Sequence, residues 1–253
     1  MGCGKDEQTQ TQQVPGVQAV IHDWLHSEDL LSLLAEAMGL RILDLWSGTG
    51  SATKAFEDHG HEVISVEIDS KFNPTICKDI MDVTVEELEE YGPFSFGWAS
   101  PECTVYSVAN LHSGHWRDGK PWTSAAHMQN ARVQWTIHLL NELCPVWVME
   151  NPRGMLRKQP FMQSLERETV TYCQYGDFRQ KPTDLWGKFP QTWIPMPMCK
   201  PGSPCHESAV RGADKGTQNQ SRKNRIMVPY ELGFSLLEAV ENSCKPRPSL
   251  GDF

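Results

Sequence analysis

The chain has 253 residues, of which 39% are apolar and 22% charged, and a formal net charge of −9. That length and composition describe a soluble globular chain with one substantial core, one main domain and a small appendage. The acidic balance disfavours a protein that coats nucleic acid non-specifically, since such binding rests on Lys and Arg against phosphates, and no apolar stretch approaches membrane length.

Charge is unevenly spread. Between Cys199 and Arg225 six basic residues (Lys200, Arg211, Lys215, Arg222, Lys223, Arg225) face Glu207 and Asp214, a local balance of +4 that leaves about −13 elsewhere. On charge alone this stretch reads equally as a polyanion-facing loop and as a solvated connection. Eight cysteines (Cys3, Cys77, Cys103, Cys144, Cys173, Cys199, Cys205, Cys244) lack the spacing of a disulfide framework, and no secretory signal is read, which points to a reducing cytoplasm. Met1-Gly2 fails the myristoylation pattern because Asp6 stands where Ser or Thr is required.

In chain order, residues 1–16 are polar and read as a disordered start, with 17–253 as a single domain. Apolar residues from Val20 to Met38 recur at helical spacing and predict packing helices. Leu40 to Trp46 predicts a buried strand that opens through Ser47-Gly48-Thr49-Gly50-Ser51 into a helix with Ala52, Ala55 and Phe56. A turn of this kind lets backbone approach a ligand closely. A second strand, Glu62 to Val66, ends in Glu67, where a doubly wound fold hydrogen-bonds a ribose. A short element at Ile76-Cys77-Lys78 ends in Asp79-Ile80, where an acid could meet an adenine amino group. The dinucleotide fingerprint would need Gly at position 53, which is Thr, so the pattern favours an adenosyl cofactor without pyrophosphate.

Phe94 to Trp98 predicts a strand running into Ala99-Ser100-Pro101-Glu102-Cys103, which puts a thiol on a loop at a sheet edge. Val146 to Met149 predicts another, ending in Glu150-Asn151-Pro152. Thr104 to Trp122 reads as a mobile loop over the site, either a water-excluding lid or an ordinary surface connection. Ser124 to Leu143 reads as a helix with Met128, Ala131, Trp135, Leu139 and Leu140 on its core stripe. Thr169 to Gly176 alternates like a strand, and Val228 to Val240 predicts a closing helix.

Asp44-Leu45-Trp46-Ser47-Gly48-Thr49-Gly50, Glu67, Asp79-Ile80, Pro101-Glu102-Cys103 and Glu150-Asn151-Pro152 together resemble the ordered motifs of the DNA cytosine-C5 methyltransferases, and most nearly the small bacteriophage-type members. The resemblance implies a three-layer α/β, Rossmann-like S-adenosylmethionine-dependent methyltransferase fold with a mostly parallel sheet. It implies that Asp44, Trp46, Ser47, Gly48, Thr49, Gly50, Glu67, Ile68, Asp79, Ile80 and Ser100 bind S-adenosylmethionine. Cys103 would be the nucleophile and Glu150 the base-holding acid, with Arg179 steadying a cytosine carbonyl oxygen or pairing with Glu150. Pro101, Asn151, Gln174, Lys181, Arg222 and Arg225 would contact the substrate.

Cytosine C5 is a poor nucleophile, and the chemistry needs a thiolate at C6 and a carboxyl group at N3, the two groups that Cys103 and Glu150 supply. The expected partner is DNA presenting a flipped or single-stranded cytosine to a monomeric enzyme, with room for an accessory specificity protein. The same chemistry on RNA or a free nucleotide, and a non-catalytic cofactor-binding or DNA-binding module, stay open at this point. Glu102 replaces the usual Pro before the nucleophile, and its carboxylate is expected to raise the Cys103 pKa. Only the stretch of about 190–222 stands where larger relatives carry a sequence-reading domain. Cys173, Cys199, Cys205 and His206 are ligand types for a structural zinc site, but they contain no Cys-x-x-Cys pair and adjacent ligands at 205 and 206 are awkward, so no metal is assigned.

Overall fold

A computed structural model describes residues 39–207, 224 and 226–244, which belong to one unit, Gly39–Lys245. The disordered start, the helices read between Val20 and Met38, and Arg211, Lys215, Arg222, Lys223 and Arg225 lie outside the described residues.

Strand β1 (Arg41–Leu45) has a strand on either side, and its alternation explains the layering: Leu43 and Leu45 enter one apolar cluster and Ile42 the other, so both faces are buried. β1 pairs in parallel with β2 (Glu62–Val66) and β3 (Phe96–Ala99), and β3 in parallel with β6 (Trp147–Pro152). β8 (Pro182–Lys188) then runs antiparallel between β6 and β7 (Glu166–Thr171), giving the order β2-β1-β3-β6-β8-β7. Short strands β4 (Trp116–Arg117) and β5 (Lys120–Pro121) form a separate hairpin.

On one face, Leu43, Leu45, Ala99, Trp147 and Met149 pack with Val133, Leu139 and Leu140 of helix α3 (Ser124–Leu143) and with Leu88 of α2 (Val85–Glu89). On the other, Ile42, Phe96, Trp98, Val148 and Leu185 pack with Phe56 of α1 (Lys54–Asp58) and with Leu232, Leu236 and Leu237 of α4 (Tyr230–Cys244). The result is a three-layer, Rossmann-like α/β fold with a mostly parallel sheet, as the sequence predicts. Among the described residues no helix is long and apolar enough to cross a membrane.

Several local readings change. Ile76 makes one bridge to Val66 instead of a strand. The strand read at Thr169–Gly176 stops at Thr171 and continues as a 3₁₀ turn, Tyr172–Tyr175, while β8 was not legible because its interior mixes Asp184 and Gly187 with apolar residues. On α3 Met128 is exposed, and Gln129, Asn130 and Thr136 are buried in its place. Those polar side chains find partners: Gln129 donates to the Glu102 carbonyl and Asn130 accepts from the Tyr106 hydroxyl. The stretch from Thr104 to Trp122 carries the β4–β5 hairpin and is tied down, with Trp116 Nε1 donating to the Val105 carbonyl at 2.7 Å and Met155 N to the Tyr106 carbonyl at 2.8 Å.

Candidate functional site

Because β2, β1, β3 and β6 run the same way, the segments that follow them meet at one sheet edge. The chain leaves β1 for β2 on one side while β3 lies on the other, so β1 and β3 flank the topological switch point where ligands of open α/β sheets bind. After β1 the backbone turns sharply: Trp46 has φ 60°, Gly48 50° and Gly50 68°. A Cβ built on Gly50 would meet no atom within 4 Å, so these glycines answer a backbone requirement and leave open space over the turn.

A cavity of about 250 Å³ lies beside this turn, lined by Trp46, Val66, Glu67, Ile68, Lys78, Asp79, Ile80, Glu102 and Arg132. Glu67 Oε2 accepts from Gly48 N at 3.0 Å and Oε1 from Asp69 N at 3.1 Å, which fixes the carboxylate against the glycine turn. Asp79 accepts from Met81 N at 3.1 Å and pairs with Arg132 at 2.6 Å. Arg132 has no motif of its own in the sequence, and only the packing of α3 over Asp79 brings it there. Ser47 N continues the β1–β2 ladder to the Val66 carbonyl, Thr49 Oγ1 donates to Ser51, and Ser100 accepts from Trp98 Nε1.

Asp44 is buried one residue before the end of β1. Its Oδ2 accepts from Thr53 Oγ1 at 2.7 Å, and its Oδ1 has no partner among the described residues. Burial pushes this carboxyl up to about 7, with Glu57 and Glu67 adding to the shift and the Thr53 hydrogen bond opposing it. A value raised above that of the unfolded chain means that the group favours the fold at low pH and that this contribution is lost as pH rises from about 4 through about 7. Asp44→Asn, which cannot ionise, is therefore expected to gain melting temperature relative to the wild type between pH 5 and pH 8. A constant gap in thermal melts across that range would show that the fold does not raise the Asp44 pKa.

The second half of the site lies where β3 and β6 end. Ala99 pairs with Met149, so the next residues of each strand continue side by side, and Asn151 Nδ2 donates to the Pro101 carbonyl at 2.8 Å. Asn151 is fully buried, and this bond makes it a tie between the cysteine loop and β6, while its Oδ1 has no partner among the described residues. Glu150 is buried and accepts from the Tyr172 hydroxyl at 2.8 Å, with Lys181 Nζ 4.0 Å from the same oxygen and 4.3 Å from the Tyr172 ring centre. Burial and the neighbouring carboxylate hold the Tyr172 hydroxyl well above its ordinary pKa, so it stays a donor to Glu150.

The Cys103 thiol is likewise raised, first by burial, then by the charge of Glu150, while Lys181 pulls it down. Glu102 acts in the expected direction but is the smallest of the influences; its carboxylate accepts from Thr104 Oγ1 at 2.9 Å. Burial lowers the Lys181 pKa, and the charges of Glu150 and Cys103 oppose that shift. Cys103, Glu150 and Lys181 thus interact with one another, and Tyr172 is the member that sequence reasoning missed.

One assignment is corrected. Arg179 does not pair with Glu150: the Nε–Nη2 edge of its guanidinium is held by Asp177, two residues away, with Nε 2.9 and 3.0 Å from the two carboxylate oxygens. Gln174 donates to Cys205 Sγ at 3.4 Å. Arg222 and Arg225 lie outside the described residues.

Spacing argued against a four-ligand cluster, yet the fold assembles one. The ligand atoms of Cys173, Cys199, Cys205 and His206 all lie within 4.8 Å of one another.

No protein-family model and no curated protein matches this chain. Among solved structures it is similar to the methyltransferase EhMeth of Entamoeba histolytica (TM-score 0.44, 13% identity, 64% of this chain and 57% of that one). It is also similar to the magnesium protoporphyrin IX methyltransferase ChlM of Synechocystis PCC 6803 with bound SAM (0.35, 14% identity, 70% and 85%). A third is a SAM-dependent methyltransferase of Agrobacterium tumefaciens (0.35, 17% identity, 67% and 60%). The chain thus spans less than two thirds of the first and third of these structures.

Proposed function

We propose that this protein transfers a methyl group from S-adenosylmethionine to C5 of cytosine in DNA, through a covalent bond between Cys103 and C6 of the base. The observation that carries the reading is the meeting of Cys103 and Glu150 at one sheet edge, beside the acid-lined cavity that follows β1 and β2.

The residues around that cavity fit the cofactor. Glu67 offers a carboxylate at the end of β2 and Asp79 another at the start of a 3₁₀ turn, the Gly48–Gly50 turn leaves room for close approach, and Asp44 holds a buried oxygen without a partner among the described residues. Bound there, S-adenosylmethionine supplies an electrophilic methyl group. Glu67 would accept from the ribose hydroxyls while keeping its bond to Gly48 N, and Asp79 would meet the adenine amino group while paired with Arg132. Glu67→Gln is expected to weaken cofactor binding by about 1.5–3 kcal/mol, the worth of a hydrogen bond to a charged acceptor. Calorimetry reads this as a dissociation constant at least about tenfold weaker, and an unchanged constant would remove Glu67 from the pocket.

At the other half, Glu150 would hold N3 of the base, kept in place by Tyr172 and Lys181. Glu150 takes up the proton that the Cys103 thiol gives up and shares it with N3, which reduces the negative charge of Glu150 and with it one cause of the raised Cys103 pKa. With Lys181 favouring the thiolate, sulfur bonds to C6 as C5 becomes electron-rich. Once C5 has taken the methyl group and S-adenosylhomocysteine is left, the C5 proton passes to solvent, the C6–S bond breaks to release Cys103 as thiolate, and N3 returns its proton to Glu150. The base must leave the stack to reach this edge, since C6 is closed to a thiol within a duplex.

The test is mechanism-based trapping. DNA with 5-fluorocytosine cannot lose a proton from C5, so with S-adenosylmethionine the wild type is expected to form a denaturation-resistant complex whose mass places the base on Cys103. Absence of the adduct on single-stranded and duplex DNA of random sequence, with methylation of RNA or a free nucleotide instead, would overturn the DNA reading. Absence on all of these substrates would favour a non-catalytic module.

A further inference from the structure

We propose that Cys173, Cys199, Cys205 and His206 bind a structural zinc ion that clamps the turn after β7 to the segment 199–206.

Cys173 Sγ lies 3.2 Å from Cys199 Sγ and 3.6 Å from Cys205 Sγ, and His206 Nδ1 lies 3.5 Å from both Cys199 Sγ and Cys205 Sγ. A tetrahedral ion with Zn–S near 2.3 Å and Zn–N near 2.0–2.1 Å needs S···S edges of about 3.8 Å and S···N edges of about 3.5 Å. The four edges given depart from these by at most about 0.6 Å, the Cys173–Cys199 edge being the shortest, and all six lie within 4.8 Å, a shift within side-chain freedom. The adjacency of positions 205 and 206, awkward on spacing alone, is resolved because His206 presents Nδ1, the ring nitrogen nearer its own backbone.

The surroundings are those of bound thiolates. Gln180 Nε2 lies 3.3 Å from Cys199 Sγ and Gln174 Nε2 lies 3.4 Å from Cys205 Sγ, so two amides donate to sulfur, as outer partners of metal ligands do. Cys199 N donates to Thr171 Oγ1 at 3.0 Å and Glu207 N to the Phe178 carbonyl at 2.8 Å, which brackets the four ligands with hydrogen bonds between the two segments. A disulfide is the competing use of close cysteines, but it would consume two thiols and leave the third and His206 without a reason to converge. Binding releases the three thiol protons to solvent and leaves the ion with a net charge of −1 on its ligand set.

The clamp has a purpose in the fold. Residues 190–207 contain no helix or strand, and Cys173 directly follows Tyr172, whose hydroxyl holds Glu150. The inference is independent of the substrate proposed above, because it concerns only how this turn is held.

Full-length, tag-free protein purified under reducing conditions is expected to carry about one zinc per chain by elemental analysis. Replacing it with Co(II) should give the strong d–d absorption of a tetrahedral site and a thiolate-to-cobalt charge-transfer band. Cys199→Ser and Cys205→Ser should lose the metal or weaken that band, while Cys77→Ser, an exposed cysteine outside the cluster, should leave both unchanged. Folded, reduced wild type that holds no zinc and gives no cobalt spectrum would overturn the proposal. So would a cobalt spectrum unaltered in both serine variants, or a disulfide between two of the three cysteines in the freshly reduced protein. Because the decisive measurement is on the wild type, misfolding of a variant does not rescue the idea.

Discussion

Cys103→Ser is expected to lower methyl transfer by a factor on the order of 10⁴ or more while leaving S-adenosylmethionine affinity within about twofold, since loss of a nucleophile removes the reaction path and not ground-state binding. The split follows from placement. Cys103 shares its surroundings with Glu150 and Lys181 at the end of β3, whereas the cavity that would take the cofactor is lined by residues following β1 and β2 together with Glu102 and Arg132. A serine hydroxyl keeps the shape of the site and nearly all its packing, so a fall in activity cannot be assigned to an altered fold if the melting temperature is unchanged. Single-turnover transfer measured beside calorimetric cofactor binding separates the two quantities. Turnover retained within tenfold would rule out the covalent mechanism, and a parallel loss of cofactor affinity would mean that the two halves of the site are not independent.

Gly187→Ala is expected to be the most damaging small substitution in the sheet. Gly187 lies in β8 opposite Val148 of β6, at φ 155°, and a Cβ there would stand 1.9 Å from the Trp147 carbonyl oxygen and 2.9 Å from its carbon. The obstacle is the backbone of a buried neighbouring strand, which has no rotamer to change. Relief requires prising β8 from β6, and overpacking of this kind costs about 3 kcal/mol or more. For a chain of this size that corresponds to a fall of about 6–12 °C in melting temperature. The consequence reaches the site, because Glu150 pairs with Leu185 two residues earlier along the same ladder. Thermal unfolding by circular dichroism checks it, and a loss under about 1 kcal/mol would show that the strand pair yields more readily than its register indicates.

The corrections share one physical origin. Arg179 stands near the right place in sequence, but an aspartate two residues before it closes a short loop and captures the guanidinium at little entropic cost, ahead of any more distant carboxylate. Asn151 has a structural bond that the sequence did not show, because the parallel pairing of β3 and β6 puts its amide nitrogen against the Pro101 carbonyl. Glu102 sits one residue from the thiol in sequence, but Glu150, 47 residues away from Cys103, has the larger influence on it. Sequence neighbours need not be electrostatic neighbours when one side chain turns to solvent and the other is buried.

What the sequence determined by itself were the features set by local rules. The apolar run of β1, its glycine turn with positive φ, the acid at the end of β2 and the long helix Ser124–Leu143 follow from side-chain period and backbone sterics within a few residues. So did the candidate pair Cys103 and Glu150, because strand ends in a parallel sheet share one edge. Only the tertiary structure decided the partners of those groups. Tyr172 reaches Glu150 through the register of β6, β8 and β7, Arg132 reaches Asp79 through the packing of a helix on the sheet, and Cys173 meets Cys199 across 26 residues. Each of these depends on where an element lies against another. That placement is fixed by burial of two apolar faces at once, a property of the whole chain that no local pattern carries.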